Sequence, residues 1–243
     1  MNKKSVFCGV AVMLLCVSFA QATQFTSVNN GKWSEGTTWG TTNPPTSTDS
    51  VCIGKGNVVT LDTVTAVAGN EWGEALNIGD WSSAGGTLNV VTGGKVEIAG
   101  ESMIGHSGTG YLNISGGIYN AGWSLRIGRY GNGIVTITSG SMWAGTLRMA
   151  DEGSGFGQLH IDGGLVAVGS YSFGTNASID ITGNGRLVLP GNVSNIACIT
   201  ANGGTGTLIY SYDSGANQTN VTVPEPATML MLGIGGLLFA RKK

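Results

Sequence analysis

Two histidines, His106 and His160, and 14 carboxylates against 12 Lys and Arg are the main acid–base chemistry that 243 residues offer. No Ser/His/Asp arrangement with a nucleophile signature occurs, and no Cys/His spacing suits zinc. Asp151 and Glu152 are adjacent, which on a strand points them to opposite sides. Glycoside hydrolysis needs two carboxylates facing one bond, so this pair does not supply them. Gly153-Ser154-Gly155-Phe156-Gly157 has the glycine density of a phosphate loop but no helix pattern after it, and it lacks the Asp of a calcium-binding repeat. Binding chemistry remains. Arg126 and Arg148 are 22 residues apart, and a repeat of that length would make them neighbours able to hold a sulfate or uronate. Trp143, like Trp81 and Tyr130, has a flat face on which a pyranose ring can stack. Arg126, Arg148 and Trp143 are therefore the candidate glycan contacts, and no catalytic residue, metal site or cofactor is expected.

The cysteines add little chemistry. Cys8 and Cys16 fall in an N-terminal apolar segment, leaving Cys52 and Cys198 in the body. An exported protein could bridge such a pair, but the repeat described next puts them about five layers apart, roughly 24 Å, against the ~7 Å limit between bridged Cα atoms. Two free thiols are expected.

These residues need elements to position them, and the composition narrows which. Forty-two residues are Gly and only 11% are charged, which argues against helical bundles and coiled coils. A net charge of −2 gives no basic surface for a phosphate backbone, so no nucleic-acid partner is expected. A pattern G-x-L-x-I-x-x-G recurs, with its first apolar position at Leu88, Leu112, Val135, Leu159 and Ile179, spaced 24, 23, 24 and 20 residues apart. Alternating apolar residues mark strands. A second alternating pair follows each Gly turn, from Val96/Ile98 to Leu187/Leu189, and a third precedes each repeat, from Leu76/Ile78 to Leu147/Met149.

Three short strands per coil of about 23 residues, each with one inward-facing pair, predict an all-β fold. It is a single-stranded right-handed parallel β-helix (β-solenoid) with triangular coils, stacked about 4.8 Å apart. Gly86, Gly93, Gly94, Gly116, Gly117, Gly140, Gly163 and Gly164 are expected at positive-φ corners. In this stacking His106 shares a column with Asp80, Arg129 and Asp151, and charge pairs Asp80–His106 and Arg129–Asp151 are expected. Residues 23–75 form an N-terminal cap and first coil, with Trp33 and Trp39 over the open end; 76–195 form the repeats; 196–222 form a C-terminal cap and linker. The phrasing of residues 78–168 resembles the repeats of autotransporter and adhesin-like solenoids, which carries over the architecture alone.

The two ends read as addresses. Residues 1–22 have a Met-Asn-Lys-Lys start, an apolar run from Val6 to Phe19 and Ala20-Gln21-Ala22, the order of a signal peptide cleaved by signal peptidase after Ala22. Residues 223–243 contain Pro224-Glu225-Pro226, an uncharged stretch from Met229 to Ala240, and Arg241-Lys242-Lys243. A short hydrophobic, transiently membrane-spanning helix with its basic end in the cytoplasm is expected there. This breaker, apolar run and basic stop resemble the PEP-CTERM sorting signal. The resemblance implies an exosortase as processing partner, recognition through the Pro-Glu-Pro region, and a Gram-negative host that makes exopolysaccharide.

The sequence thus describes an exported, non-enzymatic protein of the cell surface or extracellular matrix, structural or adhesive in role, with an inner-membrane intermediate and exopolysaccharide as a partner. The alternative is a carbohydrate-binding or polysaccharide-degrading β-helix.

Overall fold

An alternating strand can bury its apolar side only if other strands continue the same surface. The computed structural model describes residues 23–68, 73–79 and 84–224, and in them the chain winds as a β-solenoid of about seven turns. Along the first face, Val59, Leu88, Leu112, Val135, Leu159, Ile179 and Ile199 stack in parallel register. All seven are buried. The second face stacks Val67, Ile98, Ala121, Ala144 and Val168. The third stacks Val51, Leu76, Ser102, Leu125, Leu147 and Tyr171. The strands Thr109–Ile127 and Asn132–Met149 each run through all three faces, bending at register shifts. The first coil uses one strand outside the repeating pairs named above. Val64–Val67 supplies its second face, and Leu76/Ile78 lies on Val51/Ile53 as the start of the next turn.

One polar residue interrupts the third aliphatic column. Ser102 is fully buried, and its Oγ hydrogen-bonds the hydroxyl of Tyr119, also fully buried on the second face. The large ring fills the volume that the small Ser leaves, and each hydroxyl satisfies the other. Burial pushes the Tyr119 phenol well above its ordinary range, against the opposing effect of the Ser102 hydrogen bond.

Corner glycines serve two purposes. Gly93, Gly116, Gly140 and Gly164 take positive φ as expected, whereas Gly86, Gly94, Gly117 and Gly163 do not. The latter are close-approach positions: a Cβ on Gly86 would overlap the Ile53 carbonyl of the turn below. Between the third and first faces Gly79, Gly105 and Gly128 have φ of 78°, 75° and 72°. The equivalent residue in the next turn is Ala150, with φ 47°, its N–H donating to Ile127 O at 3.0 Å as Gly128 donates to Ile104 O at 2.8 Å.

Both ends are closed. Gln24–Thr26 and Gly31–Lys32 stack on Ser50–Ile53 and Val58–Leu61, beginning a turn below the first full coil. Trp33 and Trp39, the latter on the one-turn helix Gly36–Trp39, are buried edge-to-face at 5.2 Å, with Trp39 Nε1 donating to Trp33 O at 2.9 Å. At the other end Ile209–Asp213 and Gln218–Thr222 form an antiparallel hairpin, and the second strand lies antiparallel on Arg186–Pro190. Reversed strand polarity terminates the parallel ladder there. The chain is in strand up to Thr222, two residues before Pro224. Cys52 and Cys198 are not bridged by a disulfide, as the layer count requires.

Candidate functional site

Arg126 and Arg148 are register partners on the third face, as their spacing predicts. They do not form a free basic spot. Arg126 is buried, with Nε 2.7 Å from Glu101 Oε1 and Nη1 2.6 Å from Glu152 Oε1 and 3.9 Å from Asp151 Oδ1. Arg148 Nη1 lies 3.6 Å from Asp151 Oδ2, and Arg129 Nε donates to Glu152 Oε2 at 2.9 Å. Three guanidiniums thus meet three carboxylates. The expectation that Asp151 and Glu152 diverge fails because the strand ends at Met149 and left-handed Ala150 turns the chain. Both carboxylates therefore reach the same arginine. The expected Arg129–Asp151 pair is replaced by Arg129–Glu152 for the same reason.

The electrostatics follow from the geometry. Hydrogen bonds from Arg126 and then Arg129 pull the Glu152 carboxyl down to about 2. Burial alone would lower the Arg126 pKa, but hydrogen bonds and attraction from Glu152 and Glu101 outweigh it and leave the guanidinium raised. Such a cluster holds a corner rigid and stays ionised.

Next to it, the Arg129 guanidinium sits 5.0 Å over the Tyr130 ring, which meets the His106 ring edge-on at 5.9 Å. Asp80 and Trp81 lie outside the described residues. His160 stands between Thr136 and Asp180 in its column and is exposed. Among the described residues, no group of three or more His, Cys, Asp and Glu is placed to hold a metal ion.

Trp143 is exposed as expected, in a column with Glu97, Asn120 and Ala167 on the second face. Asn120 donates to Glu97 beside it. The two arginines belong to the third face, beyond the Gly145 corner. The structure therefore brings Arg126 and Arg148 together but leaves Trp143 on a different surface.

Sequence reasoning missed two features. Glu101 is one: it precedes Ser102 and pairs in register with Ser124, two residues from Arg126, so repeat alignment could have found it. The other is on the first face, where Thr109, Asn132 and Phe156 form one outward column and Tyr111, Ile134 and Gln158 the next. Together these six line a shallow groove of about 430 Å3. Tyr111 and Phe156 are 41% and 52% exposed, and no charged side chain lines the groove. Adding the repeat length to Tyr111 reaches Ile134 and Gln158, but the outward positions carry no apolar alternation to draw attention to them.

Of the addressing residues only Pro224 is described. Ala20, Ala22, Glu225, Pro226, Arg241, Lys242, Lys243 and the expected C-terminal helix lie outside the described residues. No helix among the described residues is long and apolar enough to cross a membrane. The class defined so far is a capped β-solenoid followed directly by a Pro-Glu-Pro segment. Residues 222–243 match the PEP-CTERM protein-sorting motif, which marks an exported protein processed at the membrane, with an exosortase as its processing partner. Neither the curated proteins nor the solved structures compared with the chain gave a match.

Proposed function

We propose that the protein is a non-enzymatic component of the cell surface or extracellular matrix of a Gram-negative bacterium, structural or adhesive in role, released from an inner-membrane intermediate by processing at its PEP-CTERM tail. The observation that carries this reading is how the charged groups are used. The densest set of ionisable side chains, Glu101, Arg126, Arg129, Arg148, Asp151 and Glu152, is spent on mutual pairing along the coil stack. A continuous ladder of buried strands with closed ends suits a rigid, protease-resistant body.

Intact-mass spectrometry of the native protein recovered from cells, matrix and medium tests the route. A species beginning at Thr23 and ending near Pro224–Pro226, found in matrix or medium, is the expected result. A chain retaining Lys243 and confined to membranes would overturn release. Turnover of the culture's own matrix polysaccharide by the purified mature protein would overturn the non-enzymatic assignment in favour of a degrading enzyme.

A further inference from the structure

We infer that the groove between Tyr111 and Phe156 on the first face is a binding site for a neutral polysaccharide chain lying along the solenoid axis. The inference deepens the matrix reading above by assigning a ligand class to one surface. Exposed aromatics gathered in one concavity mark a binding surface more often than scattered single residues do. Tyr111 and Phe156 belong to turns two layers apart, which gives a reach of about 10 Å along the axis, comparable to a disaccharide. The apolar faces of pyranose rings can cover two such aromatic rings. Between and beside them stand Asn132, Gln158 and Thr109, whose amides and hydroxyl can both donate to and accept from sugar hydroxyls. Apolar walls with a few placed polar groups are the usual make-up of a small-molecule site.

The charge pattern selects the ligand further. No Lys, Arg, Asp or Glu lines the groove, so a sulfated or uronate polymer would lose hydration there without gaining a counter-charge. The arginines that sequence reasoning offered for such anions are already paired with carboxylates on another face. The parallel stack adds a geometric argument. The groove is lined by side chains from three successive turns, and one column further along the strands Asn113, which donates to Asn89 at 2.9 Å, Thr136 and His160 border it with groups able to hydrogen-bond sugar hydroxyls. A linear polymer can span these three layers, whereas a compact ligand would use only one of them.

Affinity electrophoresis tests this with the mature protein recovered from culture. The immobilised probes are the neutral fraction of the culture's matrix polysaccharide, hydroxyethyl cellulose, dextran and, for contrast, alginate. Retardation by at least one neutral polymer and none by alginate is expected, unchanged up to about 0.5 M NaCl because no ion pair is involved. Tyr111→Ala and Phe156→Ala should each weaken binding roughly tenfold, the scale of one lost aromatic contact, while Trp143→Ala leaves it intact. Thermal unfolding of each variant separates misfolding from lost contacts, and Tyr111→Phe should retain binding. Absence of retardation by every neutral polymer, or equal loss in Trp143→Ala, overturns the site. So does a change of sedimentation in Tyr111→Ala without any glycan binding, which would make the groove a contact between copies. Loss of polymer binding by the wild type with matrix residence preserved refutes this site alone. Release of sugar from the probes refutes the non-enzymatic reading instead.

Discussion

Replacing Arg126 with Met should destabilise the solenoid by an amount that depends on pH. Arg126 is buried and faces Glu101 at 2.7 Å and Glu152 at 2.6 Å, with Asp151 at 3.9 Å. Removing it leaves three carboxylates converging on an apolar side chain. Breaking a fully buried pair costs about 3–5 kcal/mol, and partial exposure of Glu152 reduces the expected cost to about 2–3 kcal/mol at neutral pH. The pH dependence has a definite sign. The Glu152 carboxyl is drawn from 4.5 in the unfolded chain to about 2 in the folded one, so its stabilisation is fully present above the unfolded value. It is lost as pH falls toward the folded value. A shift of that size corresponds to about 3 kcal/mol unscreened, and about 1–2 kcal/mol once solvent screening is allowed for. Urea unfolding followed by circular dichroism at neutral pH, pH 4 and pH 2.5 provides the assay. Wild type should lose stability steeply below about pH 5, and Arg126→Met should lose less, so the gap narrows on acidification. A gap that stays constant across that range would refute the assignment of Glu152 stability to its arginines.

Four further outcomes follow from individual residues. Ala150→Gly should stabilise by about 0.5–1 kcal/mol in the same denaturation assay, since it relieves left-handed strain at φ 47° at the cost of some unfolded-state entropy. The converse change one turn earlier, Gly128→Ala, should cost at least ~3 kcal/mol, because a Cβ there has both φ 72° and the Phe156 carbonyl against it. Ser102→Ala should cost about 2 kcal/mol by stranding the buried Tyr119 hydroxyl, and Tyr119→Phe in the same background should recover much of that, giving a coupling measurable by a double-mutant cycle. Mass spectrometry with and without reductant should show no disulfide, and Cys198, whose thiol is raised by burial, should alkylate slowly until the chain unfolds.

The architecture was legible because its signal is redundant. Five repeats place an aliphatic at equivalent positions on each face, so one irregular residue such as Ser102 does not hide the period. Inward positions are constrained by the core, and every coil imposes the same constraint. Corners were less legible. Glycine composition alone cannot distinguish Gly116, which needs a left-handed backbone, from Gly86, which needs space beneath a carbonyl; both roles require a missing side chain. The antiparallel C-terminal hairpin escaped for a related reason. Ile209–Asp213 alternates like any other strand, and nothing in that alternation reports the direction in which the chain pairs.

The surface chemistry depended on two facts that residue spacing does not contain. Arg126 and Arg148 align by repeat counting, and that part was correct. Whether they attract a ligand depended on where the next carboxylates point, which was set by a single residue. Ala150 occupies a corner that is glycine in the three preceding turns, ends the strand, and swings Asp151 and Glu152 onto the arginines. A strand continued through residue 152 would have sent those side chains to opposite sides, leaving the arginines less neutralised. The groove at Tyr111 shows the complementary case. Its residues belong to different repeats and share no motif, yet stacking at one fixed layer distance makes them neighbours. In a solenoid the buried columns are therefore readable from alternation, but an outer surface emerges only when the outward residues are aligned turn by turn. Charge pairing on one face then removes it as an anion site, while the aromatic groove, lined by no charged side chain, remains open to a polymer.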